Sequence, residues 1–105
     1  MRKIECIISP KKFQDLEQKL REFGIHGLTV TEVKGYGNQQ TRPESYLLLP
    51  KTKLEIYCHA SHVDEVIGII LSECQSGQMG DGKIIVSEVI EMVRIRTGER
   101  GEKAV

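Results

Sequence analysis

Two stripes of apolar residues at helical spacing constrain this chain more than anything else in it. Phe13, Leu16, Leu20 and Phe23 form one, and Val63, Val66, Ile67, Ile70, Leu71 and Cys74 form the other. Each stripe sits between segments that alternate with a period of two. Ile4, Cys6 and Ile8 alternate with Glu5 and Ile7; residues 26–34 and 53–59 alternate likewise, and Ile84, Ile85 and Val86 make a fourth strand. A further short extended piece is expected around Met92 to Ile95. Ser9-Pro10 reads as a helix start with Ser9 as N-cap, and Ser61 with Asp64 as a capping box. Gly24 and Gly77 read as helix stops. The polar stretch from Asn38 to Leu48, broken by Pro43, is expected to be a loop rather than a tight hairpin. The order strand–helix–strand–strand–helix–strand predicts an α+β, ferredoxin-like βαββαβ sandwich, with both helices on one face of a four-stranded antiparallel sheet. The other face, carrying Ile7, is left bare. Self-association with the bare faces turned inward is therefore expected.

A chain of 105 residues can fill one core but not two, so a single domain over residues 1–105 is expected. Fifteen basic and fifteen acidic residues give a formal net charge of zero, which lacks the long-range field of a non-specific nucleic-acid binder. Any anion site must be local. No apolar run is long enough to be inserted in a membrane and the N-terminus has no signal-peptide pattern, so a cytoplasmic location is expected. Cys6, Cys58 and Cys74 are odd in number and have no paired spacing, as reduced thiols would.

The chemistry-bearing stretch is Met79-Gly80-Asp81-Gly82-Lys83. Glycines let successive N–H groups point into one concavity, and a Lys at its edge adds a point charge, a combination suited to phosphate oxygens. Asp-Gly is also an ordinary turn before a strand. A second cationic group follows in Arg94-Ile95-Arg96-Thr97-Gly98-Glu99-Arg100-Gly101, where an extended backbone would project Arg94 and Arg96 to the same side. Paired guanidinium forks suit a polyphosphate. Two other readings compete. Cys58, His59 and His62 are residue types that bind zinc, although Cys58 also continues the alternation of Leu54 and Ile56. A nucleotide hydrolase would need a general base beside the loop, and only Asp81 is at hand.

Several stretches closely resemble the PII signal-transduction family. They are Lys3 to Ile8, His26 to Gly37, Gly80-Asp81-Gly82-Lys83-Ile84 and Val93 to Gly101, collinear over nearly the whole chain. The resemblance implies a non-enzymatic homotrimer that binds ATP, ADP or AMP in the clefts between subunits and regulates a target protein, a transporter or an enzyme, in nitrogen metabolism. By motif match, Gly80, Asp81, Gly82 and Lys83 would cradle phosphate and Arg94 and Arg96 would clamp it. Thr29 would lie near the adenine, and Gly35 and Gly37 would start an effector loop over residues 36–49, while residues 97–105 would form a C-terminal loop ordered by nucleotide or neighbour. Gln39 would bind magnesium with the nucleotide, and Gln39 with Lys51 would serve 2-oxoglutarate or bicarbonate.

The departure is in the effector loop. Only fourteen residues separate Gly35 from Pro50, fewer than is usual in the family, and Gln40 stands where a basic residue is usual. Tyr46 is present, but the segment that carries the modifiable Tyr in typical members is missing, so uridylylation is not expected. Shortened loops of this kind are similar to those of PII-like regulators of inorganic carbon that sense ADP or AMP with bicarbonate. That is the alternative circuit.

Overall fold

The computed structural model of the chain describes residues 1–37 and 48–105. Its elements are β1 (Arg2–Ile8), α1 (Phe13–Phe23), β2 (Thr29–Gly35), β3 (Leu49–Cys58), α2 (Val63–Cys74) and β4 (Lys83–Glu88). Single 3₁₀ turns occupy Pro10–Lys12, Ala60–His62 and Gly101–Ala104. The sheet order is β2-β3-β1-β4 and every pairing is antiparallel. This is the ferredoxin-like arrangement expected from the two apolar stripes.

The pleat sorts the strands cleanly. Ile4, Cys6 and Ile8 of β1 and Leu54, Ile56 and Cys58 of β3 point to the helices, where they pack with Leu16, Leu20, Val66, Ile70 and Cys74. Phe13 and Phe23 flank this core, and Phe23 meets His62 edge-on at 5.9 Å. Leu71 falls on the outer flank of α2 and is 44% exposed, so the second stripe is narrower than its sequence pattern.

On the helix-free face, Glu5 of β1 sits directly opposite Glu55 of β3. Like charges in that position repel. Two lysines resolve it: Lys3 lies 3.3 Å from Glu5 and 3.7 Å from Glu55, and Lys53 lies 3.7 Å from Glu5 and 3.5 Å from Glu55. The four side chains form a closed, neutral ring across the two central strands.

The helix starts differ from expectation. Ser9 and Ser61 make no side-chain cap; each helix is instead entered through a 3₁₀ turn, closed by Lys12 N–H donating to Ser9 at 3.0 Å and His62 N–H donating to His59 at 3.0 Å. Gly24 does end α1, at φ +117°. β3 begins four residues earlier than the sequence pattern indicates, because Leu49, Pro50 and Lys51 pair with Gly35, Lys34 and Val33 of β2. Met92 to Ile95 does not form a strand. A lone bridge joins Val93 to Arg100, and Gly98 N–H donates to Arg94 at 2.7 Å, so residues 94–98 are a turn. No helix among the described residues is long and apolar enough to cross a membrane.

Two substitutions test this packing by denaturant unfolding at one protein concentration. Ile56→Ala, at a fully buried position, is expected to lower stability by about 2–5 kcal/mol. Gly68→Ala, in an exposed turn of α2 where a Cβ meets open space, is expected to raise it by roughly 0.5–1 kcal/mol.

Candidate functional site

The glycine-rich loop is built by two constraints. Gly82 has φ +107°, and a Cβ there would collide with the carbonyl oxygen of Ile7 and come within 2.9 Å of its carbon. Only glycine lets the loop lie so close to β1. The second constraint is the Asp81 carboxylate, which accepts from Ser76 N–H at 2.8 Å, Gly77 N–H at 2.9 Å and the Ser76 hydroxyl. These bonds, the Ser76 hydroxyl first, hold its carboxyl below the usual range. A carboxylate so engaged turns toward its own loop and is a poor general base. Asp81 shapes the loop.

Around this loop lies a cleft of roughly 430 Å³ that gathers Gly35, Gly37, Lys51, Gly80, Gly82 and Lys83 over Ile7. Lys51 Nζ donates to the Gly80 carbonyl at 3.4 Å and so bridges the loop to the start of β3. Among these residues, Gly35, Gly37, Gly80, Asp81, Gly82, Lys83 and Lys51 were all singled out by the sequence, and the structure brings them together. Gln39 lies outside the described residues, as do Gln40 and Tyr46.

Thr29 and Arg94 are elsewhere. They line a second cleft, roughly 600 Å³, with Glu55, Tyr57, His59 and Val105. The register places it: β2 starts at Thr29 and ends at Gly35, so the two clefts sit at opposite ends of the sheet, about 20 Å apart at the usual rise per residue. Arg94 donates to Glu99 Oε1 at 3.4 Å and to the main-chain oxygen of Val105 at 3.3 Å. Arg96 is exposed in the 94–98 turn. The shared side that an extended backbone would give Arg94 and Arg96 is absent, since a turn does not alternate. Within one protomer Lys83 and Arg94 do not meet.

The cysteines point inward. Cys58 is 1% exposed and belongs to the core, whereas His59, next along, is exposed enough to reach the C-terminal turn. Burial pushes the Cys58 thiol up and the Cys6 thiol up to about 12, the protonated state that metals do not favour. No group of three or more metal-ligating side chains occurs among the described residues. The contacts of His59 with Glu102 and of Arg94 with Val105 have no mark in the sequence, because residues so far apart in the chain leave no periodic signal.

A ferredoxin-like sheet with a glycine loop and two lysines at one end, and an arginine cleft at the other, defines a small two-cleft α+β protein. The sequence profile of "Nitrogen regulatory protein P-II" matches residues 1–99. "Nitrogen regulatory protein P-II 2" of Methanothermobacter thermautotrophicus is 48% identical over 112 aligned positions, covering all of this chain and 97% of that protein. "Nitrogen regulatory protein P-II" of Pasteurella multocida is 45% identical and "Nitrogen regulatory protein P-II 1" of Escherichia coli K12 44%, each covering both chains in full. The chain belongs to the P-II family. It is a signalling regulator of that family and not an enzyme. The alignments span 112 positions against 105 residues here, so seven positions of the relatives (112 − 105) have no counterpart in this chain.

Gly82→Ala tests the cradle. It combines a strained φ with a clash against β1 backbone, and is expected to cost at least about 2 kcal/mol on urea unfolding. Asp81→Asn removes the charge that Ser76 and Gly77 bond to. Its loop amides are expected to lose hydrogen-exchange protection while the β1–β3 amides keep theirs.

Proposed function

We propose that this chain is a cytoplasmic, nucleotide-sensing regulator of nitrogen metabolism that works as a homotrimer. ATP, ADP or AMP binds where the Lys83 cleft of one subunit faces the Arg94 cleft of the next. The observation that carries this reading is the division of the cationic groups between opposite ends of one sheet. A polyphosphate that needs both must take them from two copies. Such a head-to-tail contact closes into a ring when the rotation permits.

The bare surfaces support the same assembly. Ile90 and Ile95 are 95% and 98% exposed, and the helix-free face, with its charges already neutralised as a ring, carries Ile85 as well. Apolar surface left this open marks an interaction site. In the assembled cleft Gly80 and Gly82 offer backbone N–H groups, Lys83, Arg94 and Arg96 offer charge, and Thr29 lies by the base. Three charge-assisted bonds of roughly 1.5–3 kcal/mol each are adequate for micromolar affinity.

Gly35 and Gly37 line the phosphate end and also begin the loop over residues 36–49. Occupancy of the cleft therefore biases the loop, and through it a target protein. We assign the seven absent positions to that loop. Magnesium held with the nucleotide would use Gln39, and Lys51 would receive the carboxylate of 2-oxoglutarate or bicarbonate.

Calorimetric titration with ATP is expected to show binding by the parent protein and at least tenfold weaker binding by Lys83→Ala and by Arg94→Ala, since each removes a charged partner. Mixing the two variants after subunit exchange is the sharper experiment. A Lys83→Ala subunit still has Arg94 and an Arg94→Ala subunit still has Lys83, so mixed rings regain an intact cleft. Recovery of tight binding supports the shared site; a mixture as weak as its components sinks it. Tightening of ATP by magnesium and 2-oxoglutarate would place the protein in nitrogen sensing, and a response to bicarbonate alone would move it to inorganic carbon.

A further inference from the structure

The two helices present unlike outer faces. α1 turns Gln14, Asp15, Gln18, Arg21 and Glu22 to solvent, as a surface helix should. α2 does not. It holds no lysine or arginine, and between Glu65 and Glu73 it presents Gly68, Ile69 and Ser72. Lys19 and Phe23 of α1 form the opposite wall of a groove of roughly 540 Å³. We propose that this groove docks an amphipathic helix of a partner protein. That helix presents one aliphatic side chain to Gly68 and flanks it with lysines or arginines that face Glu65 and Glu73.

Gly68 is the residue that the protomer itself does not explain. It is exposed in mid-helix, and a Cβ there would meet nothing within 4 Å. No close approach inside the chain calls for glycine, and glycine within a helix weakens it relative to alanine. What it supplies is a gap in the helix surface. Ile69 and Phe23, each packed against the core from its own helix, hold the gap's apolar walls in place. A second helix can bring its backbone close at such a gap and seat a side chain in it.

The rim decides the chemistry of that helix. Glu65 and Glu73 have no ion-pair partner among the described residues, whereas Lys19 is met by Glu22 at 3.9 Å. The groove is left with unpaired negative charge, which repels anionic lipid and nucleic acid and favours a cationic protein segment. Eight residues separate the two carboxylates (73 − 65), about 12 Å along the axis. A docked helix meets both by carrying cations four residues before and four after the seated side chain, positions that share its face. Neither helix of this chain has that spacing. Leu16 has Lys12 before it but Leu20 after it, and α2 has no cation to offer. The occupant is therefore another protein. The groove also lies on the helix side, away from the sheet face and sheet ends used in the assembly above, so it stands apart from the nucleotide reading.

The probe is an alanine-rich helical peptide of about 17 residues with leucine at its centre and lysine four residues to either side. Its twin carries glutamate at those two positions. Both would be titrated into the isotope-labelled parent protein, Gly68→Gln, and the doubly reversed Glu65→Lys, Glu73→Lys protein. In the parent, amide resonances of Gly68, Ile69 and Ser72 are expected to shift to saturation with the lysine peptide and to stay still with its twin. Gly68→Gln fills the gap with a better helix former, so it keeps its fold. It is expected to bind the lysine peptide about tenfold more weakly, the loss that unseating one leucine supports. The reversed protein is expected to exchange its preference for the glutamate twin, by about fivefold for two exposed pairs. Absence of saturable shifts at the groove in the parent overturns the proposal. So does equal affinity in Gly68→Gln, which would show that the lysine peptide only answers surface charge.

Discussion

The rest of the structure depends on one close approach, that of Gly82 to the Ile7 carbonyl. β1 is one of the two central strands, paired with β3 on one side and β4 on the other, so its backbone is held along both edges. Setting the glycine loop directly against it gives the loop that same certainty of position. Asp81 then ties the exit of α2 to the loop through Ser76 and Gly77, and Lys83, paired with Ile7, starts β4. On the proposed reading the loop meets phosphate oxygens with backbone donors and needs such fixity, because donors that reorganise on binding lose much of their advantage. Here the fixity comes from the sheet register, and the cost is that two backbones must pass where no side chain fits.

What could be read in advance follows from which forces leave a period in the sequence. The two helices, the four strands and the core face are legible because burial repeats every 3.6 or every two residues, and the core does consist of residues that pattern picks out, with Ile67 and Leu71 of the second stripe left outside it. The glycine loop was legible as a loop before β4, but its glycines were read as admitting a ligand, whereas Gly82 answers to the Ile7 carbonyl of β1. The helix starts were misread: serine and proline signal an N-terminus, but not whether the serine side chain or a 3₁₀ turn satisfies the first N–H groups. Arg94 and Arg96 were misread for a related reason. Alternation places side chains only if the backbone is extended, and Gly98, at φ +74°, allows the chain to turn there instead. The C-terminal contacts left no signal at all: they join Glu102 to His59 and Met1, and no local rule links residues so distant.

That the two cationic clefts stand at opposite ends of the sheet has an energetic consequence on the proposed reading. Each protomer carries two half-sites, neither with the full set of charges, so a nucleotide gains most of its binding energy only when copies are joined. Linkage makes this reciprocal: a ligand that binds only the joined form stabilises the joined form, by an amount that grows with ligand concentration. The neutral Lys3–Glu5–Lys53–Glu55 ring fits this role. A face whose charges are already paired can be buried without leaving any of them uncompensated, which an isolated charge could not be.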